Sequence, residues 1–210
     1  MRLTGWIGTL AVCLFVPLFI TRGIGWLDFW WWMSANVTVL LLLVAILDGE
    51  WRAELLRDLG ACVGFKVGAG VLSALALYGV FYAGNAISRL LFEAAGSHIA
   101  DIYAFKAGVF PLRIAVLMVL VIGPGEELFW RGFLQRRLQV AWGVWPGFLA
   151  ATAIYTLVHL GSGNAILVLA AGLCGLFWGF LYLWKRSLLL NVISHTVWDV
   201  AIFLVFPVGG

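Results

Sequence analysis

The chain has 210 residues, of which 64% are hydrophobic and 11% charged, whereas soluble domains carry about 25% charged residues. That balance excludes a water-soluble fold and fits one membrane domain of about six to eight crossings, each needing roughly 20 apolar residues and a turn. The formal charge of +3 is spread along the chain without a basic stripe for phosphate contacts, so nucleic acid is not an expected partner.

Arg2 followed by the apolar run from Trp6 to Ile20 has the flavour of a secretory signal. No small-x-small cleavage site follows and more spans do, so the run reads as a retained first helix. Apolar runs and their punctuation predict spans near 5–21, 26–47, 63–88, 108–138, 143–160, 164–184 and 187–206. Seven crossings make an all-α, polytopic helix bundle, read as a single domain over residues 1–210. Trp26, Trp30, Trp31 and Trp32 cluster at the mouth of the second span, where amphipathic rings anchor in the headgroup layer. The stretch from Asp48 to Asp58 mixes Glu50, Arg52, Glu54 and Arg57 with apolar residues, which suits an interfacial helix or loop, and residues 93–106 look similar. Lys66, near the start of the third span, is placed to snorkel. Cys13, Cys62 and Cys174 are odd in number and lie in or beside apolar runs, so they read as packing residues and not as a disulfide framework. Alternating sides groups Arg2, Arg52, Arg57, Arg131, Arg136, Arg137, Lys185 and Arg186 at one face and Arg22, Arg89, Lys106 and Arg113 at the other. The positive-inside bias then puts the N-terminus in the cytoplasm.

Ionisable groups within spans are costly and normally face a bundle interior or a cavity. The fourth span carries Glu126, Glu127 and Arg131, the fifth His159, and the seventh His195 and Asp199. Glu127 and Arg131 stand at i and i+4 with the acid first, the favourable order for a helical ion pair, while Glu126 is turned about 100° away. One glutamate is thus neutralised and the other left free. Tyr155 shares a helix face with His159, and His195 with Asp199. At about 1.5 Å per residue, Glu126 lies about 15 Å above Arg136, while His195 and Asp199 lie about 12 Å and about 18 Å above Ser187. These three meet near the midplane, whereas His159, about 24 Å from Gly143, comes out deeper. Asn191 reads as a helix-to-helix hydrogen bonder, and Gly172, Gly175 and Gly179 as points of close helix approach.

Such a set suits peptide-bond hydrolysis. Glu126 with His159 can deprotonate a water, and His195, with a polar group one turn away in Asp199, can donate to the oxyanion of a tetrahedral intermediate. A serine route is poorer, because Ser162 sits in Leu160-Gly161-Ser162-Gly163 without the glycine two places earlier that rhomboid proteases have. Glu126, His159, His195 and Asp199 also make an acceptable nitrogen and oxygen set for zinc. There is no HExxH, so the favoured reading requires no cofactor and keeps zinc as the alternative.

The segments Glu126-Glu127-Leu128-Phe129-Trp130-Arg131, Tyr155-Thr156-Leu157-Val158-His159 and His195-Thr196-Val197-Trp198-Asp199 resemble three motifs of one family. The motifs are EExxxR, FxxxH and HxxxN or HxxxD. They belong to the CPBP or Abi group of intramembrane glutamic-type endopeptidases, which includes the CAAX prenyl protease-like enzymes. The likeness covers roughly residues 108 to 203, inside a catalytic core of about 108–206. It implies that Glu126 and His159 activate water, that His195 and Asp199 form the oxyanion site, and that Glu127 and Arg131 hold helices in register, with Tyr155 in the place of the usual phenylalanine. Asp199 stands where better understood relatives have asparagine. An ionised aspartate would repel an oxyanion, so Asp199 must be protonated, orient His195 or bind something positive.

The resemblance further implies a membrane-associated protein or peptide as substrate and a bacterial cytoplasmic membrane as location, and leaves the oligomeric state open. Prenylated CAAX tails, C-terminal sorting tails and leader peptides are all compatible. Two rival readings stay open: a proton-coupled carrier, because intramembrane Glu, His and Asp also build proton relays, and a non-catalytic bacteriocin-immunity or scaffold protein that keeps the motifs as structural pairs.

Overall fold

A computed structural model describes residues 2–60 and 62–208. Helix α1 (Arg2–Thr21) leads through a tight antiparallel pair, β1 (Gly23–Ile24) and β2 (Leu27–Asp28), into α2 (Phe29–Leu47). A shorter α3 (Gly49–Leu59) precedes the long α4 (Val63–Leu91), and α5 (Ala95–Tyr103) ends in a tighter turn, Ala104–Lys106. Next come α6 (Pro111–Trp142), α7 (Val144–Val158, extended by a 3-10 turn His159–Ser162), α8 (Ala165–Lys185) and α9 (Leu188–Val200, extended by a wide turn Ala201–Val205). Among the described residues α1, α2, α4, α7, α8 and α9 are each long and apolar enough to cross a membrane; the α5 segment and α6, bent by 89° at their break, meet the same criterion only together, which gives six crossings, or up to seven with that pair taken as one span. The expected all-α polytopic bundle is what the chain forms.

Helix α6 sits at the centre, with Glu126, Glu127, Phe129, Trp130, Arg131, Phe133, Leu134 and Gln135 all buried. It packs on α2, α7 and α9, while α4 covers the far side of α9 and α8 covers α7. Two wide, π-type turns, Met118–Ile122 and Leu128–Gln135, flank the short α-helical stretch Gly123–Glu127. Pro124 gives the first its physical cause: it has no N–H to donate, and its ring would press on the carbonyl one turn back unless that turn opens. The α6–α7 connection is a single residue, Gly143, at φ +94°, in the region that favours glycine.

Both ends of the bundle are tied by acids that also cap helices. Asp48 accepts from the Trp51 N–H at 3.1 Å and pairs with Arg136 at 2.6 Å and Arg137 at 2.9 Å, fixing the α2–α3 corner to α6. Burial works against the charged form of Asp48, but the Arg137 and Trp51 hydrogen bonds and the two guanidinium charges outweigh it and hold its carboxyl below the usual carboxylate range. Asp58 pairs with Lys66 at 2.7 Å and accepts from the Leu189 N–H at 2.7 Å, tying α3 and α4 to the start of α9. Lys66 therefore does not snorkel: it is buried, because a partner acid sits within reach. At the opposite end Asp28 caps α2 through the N–H groups of Trp30 and Trp31 and pairs with Arg113.

The tryptophan cluster divides. Trp26 and Trp31 are exposed as expected of anchors, but Trp30 is buried and donates to the Phe105 carbonyl at 2.9 Å. Arg131, grouped by sequence with the basic residues of one face, lies within the bundle instead at 2% exposure.

Candidate active site

Each acid or imidazole singled out by sequence is carried on the central helix or on one of the two that pack against it. Glu126 and Glu127 come from the α-helical stretch of α6, His159 from the 3-10 turn that ends α7, and His195 and Asp199 from α9. Close approach of α6 to α9 depends on Gly123: a Cβ there would stand 2.6 Å from Thr196 Oγ1. Gly175 and Gly179 do the same for α8, where a Cβ would meet Thr152 at 3.1 Å and Phe148 at 2.7 Å, while Gly172 makes only ordinary contact at 3.6 Å or less with Thr156.

His195 bridges the two glutamates. Its Nδ1 lies 2.8 Å from Glu127 Oε1 and donates to it, so its Nε2 is the atom that faces Glu126 Oε2 at 3.6 Å and Asp199 Oδ2 at 3.5 Å. The Trp178 ring stacks on the imidazole with centroids 3.7 Å apart and planes within 22°. Glu127 is fully buried and fully used: besides His195 it accepts from Arg131 at 2.7 Å and from Asn191 Nδ2 at 3.0 Å. The Arg131 guanidinium lies over the Tyr155 ring at 4.7 Å and over Trp178 at 5.6 Å. Tyr155 in turn meets His159 edge-on at 5.0 Å.

Helical-wheel reasoning gave His195 the wrong backing group. The i+4 neighbour Asp199 lies on the Nε2 side, and the group that holds Nδ1 is Glu127, reaching across the α6–α9 interface. Asn191, one turn before His195, completes the cage by donating also to the Trp178 carbonyl at 2.8 Å. The sequence carries a trace of this, since Asn191, His195 and Asp199 fall on one helical stripe. Nothing in the sequence marks Trp178, Phe19 or Trp30 as neighbours of the site.

His159 sits at the level of Glu126. Both lie the same distance from the Gly143 turn, residues 126 to 142 on one helix and 143 to 159 on the other, or about 24 Å each. The apparent mismatch came from measuring Glu126 from Arg136 when α6 runs on to Trp142. His159 Nδ1 is 2.7 Å from the Tyr155 carbonyl, which only accepts. The proton therefore resides on Nδ1 and the Nε2 lone pair is available.

Glu126, His159, His195 and Asp199 all line one cavity of about 130 Å³, whose remaining wall is mostly apolar: Phe19, Trp30, Met33, Cys174 and Trp198 among others. The two carboxyl oxygens stand 3.6 and 3.5 Å from the imidazole nitrogen, longer than a good direct hydrogen bond, and all three groups line the same cavity. As arranged, the donors do not close around an ion: among the described residues no group of three or more His, Cys, Asp and Glu side chains is disposed to hold a metal.

Residues 108–201 match the family described as type II CAAX prenyl endopeptidase, Rce1-like. No curated protein and no solved structure matches the chain.

Proposed function

We propose that this multi-pass membrane protein, Rce1-like over residues 108–201, hydrolyses a peptide bond in a membrane-associated protein or peptide by a glutamate-activated water. The match over residues 108–201 supports a CAAX-type intramembrane endopeptidase at the family level; the residue roles that follow are our reading. The observation that carries them is the one cavity walled by the buried Glu126, His159, His195 and Asp199, in which the tautomer of His159 and the direction of His195 are both fixed by backbone or buried partners.

In this mechanism Glu126 removes a proton from a water whose other hydrogen is held by His159 Nε2, and the oxygen attacks the scissile carbonyl carbon. The oxyanion that forms is met by His195 Nε2 in its N–H form, with Asp199 in the same proton-sharing unit. Collapse breaks the C–N bond, and the proton held by Glu126 passes to the leaving nitrogen, giving a free carboxyl and an amine. Glu127 never touches substrate. It positions His195 and is neutralised by Arg131. No step is routed through a metal. We place the N-terminus in the cytoplasm, on the basic residues Arg136, Arg137, Lys185 and Arg186 that gather at that end.

The test is hydrolysis of membrane-anchored peptides, prenylated CAAX, sorting-tail and leader types, by the full chain in lipid nanodiscs, read by mass spectrometry. Glu126→Gln should lose about 10²- to 10⁴-fold in rate, the span of general-base contributions, with unchanged thermal unfolding. A Glu126→Gln protein that still cuts at the normal rate refutes the assignment.

A further inference from the structure

A second cavity, of about 250 Å³, opens between α4, α5 and α8, walled by Phe81, Gly84 and Asn85 on α4, Ile102 on α5 and Leu169 on α8. Trp198 and Phe203 line both this cavity and the one that holds Glu126, His195 and Asp199. Ile102, Leu167 and Ala170 are shared as well, so a segment lying in it is separated from Glu126, His195 and Asp199 by one layer of side chains.

A short strap of the chain's own residues lies along this cavity, and it is held by its backbone. The Tyr78 hydroxyl donates to the Phe206 carbonyl at 2.9 Å, and Asn85 Nδ2 donates to the Val208 carbonyl at 2.7 Å. The Tyr103 hydroxyl accepts the Val208 N–H at 3.0 Å while giving its own proton to the Ile202 carbonyl at 2.9 Å. Both backbone groups of one residue, Val208, are read together, and its side chain enters the apolar wall. Main-chain hydrogen bonds beside a side-chain pocket are how an extended peptide is recognised. An acyl chain has nothing to offer Asn85. Trp198 adds an unmet demand: at 8% exposure its indole N–H finds no acceptor among the described residues. Such a donor in apolar surroundings is satisfied by a peptide carbonyl.

We propose that this cavity is the docking cleft for an extended apolar peptide segment of the substrate, held by its backbone through Asn85, Tyr103 and Trp198, and that Phe206–Val208 is an intramolecular stand-in the substrate displaces. The proposal rests on the hydrolase reading only in calling the occupant a substrate. The three side chains are positioning residues: Asn85 and Tyr103 lie outside the catalytic cavity, and Trp198 stands on the wall the two cavities share.

The experiment uses the full chain carrying Glu126→Gln in nanodiscs, with a photo-cross-linking phenylalanine analogue at position 169. The probe is a biotinylated peptide of residues 202–208. Tyr78 lies outside the cavity wall, so Tyr78→Phe loosens the strap and leaves the cleft intact. One hydrogen bond of about 0.5–1.5 kcal/mol converts to about 2- to 12-fold more capture at subsaturating peptide. Ending the chain after Val205 should raise capture further, and adding Asn85→Leu to that shortened chain should lower it again by a comparable factor. Capture that ignores both Tyr78→Phe and the shortening, or a biotinylated palmitoyl probe captured as well as the peptide, overturns the proposal. Capture that rises while protein retaining Glu126 never cuts the peptide keeps the cleft and counts against hydrolysis. Cutting with indifferent capture does the reverse.

Discussion

Glu127→Gln separates a positioning role from a catalytic one, because this side chain carries three contacts and no exposure. The carboxylate accepts from Arg131 at 2.7 Å, His195 Nδ1 at 2.8 Å and Asn191 at 3.0 Å, and both it and Arg131 are at 2% exposure or less. Substitution by glutamine keeps the shape, removes the charge and turns one acceptor into a donor. Arg131 is then left without its counter-charge in apolar surroundings, a situation that costs about 3–5 kcal/mol when a buried pair is broken from one side. Hydrogen bonds to charged groups, each worth about 1.5–3 kcal/mol, give the same order once the hydration lost by the carboxylate is set against them. The expected result is a large drop in stability in a detergent-denaturation series, together with loss of peptide cleavage, whereas Glu126→Gln should lose cleavage alone. Should Glu127→Gln unfold within about 1 kcal/mol of the parent, the account of Glu127 as the buried anchor of Arg131 and His195 is wrong.

Gly123→Ala places a Cβ 2.6 Å from Thr196 Oγ1 and 3.1 Å from the Met118 carbonyl; α6 and α9 must part, and we expect about 1–3 kcal/mol of destabilisation with a fall in cleavage that Gly5→Ala, in open space, does not share. Asp48 gives a pH dependence. Its carboxyl is held below its unfolded value, so its contribution is complete above about pH 4–5 and fades as pH falls through the folded value. The stability gap between the parent and Asp48→Asn, read by thermal unfolding, should therefore be constant near neutrality and close in acid; a gap that widens in acid contradicts the pairing with Arg136 and Arg137. Exhaustive chelation should leave hydrolysis intact. Complete loss restored by zinc alone would move Glu126, His159, His195 and Asp199 from acid–base work to metal ligation.

The spans were legible because bilayer-facing helices must be continuous apolar runs, and the four cavity residues were legible because charge inside such runs is rare enough to stand out. Depth was misjudged for a traceable reason. Arg136 and Arg137 read as the end of the fourth span, yet both pair with the buried Asp48, and the helix continues to Trp142. Lys66 and Trp30 read as surface groups in the sequence but are buried in the fold, because their partners Asp58 and Phe105 come from other parts of the chain. The partner of His195 could not be read either: a helical wheel ranks neighbours on one helix, while the Nδ1 bond to Glu127 crosses an interface.

The two adjacent glutamates reach opposite sides of one imidazole because an α-helix turns successive residues about 100° apart. That offset lets Glu127 take the Nδ1 side of the His195 imidazole while Glu126 faces its Nε2 side across 3.6 Å. The offset holds only if residues 123–127 stay α-helical, and the wide turns on either side take up the distortion that Pro124 and the packing on α9 impose. The buried Glu127–Arg131 pair adds little to stability for its desolvation cost. What it secures is direction: with Nδ1 committed and the Trp178 ring stacked on the imidazole, Nε2 can address only the cavity where Glu126, His159 and Asp199 meet.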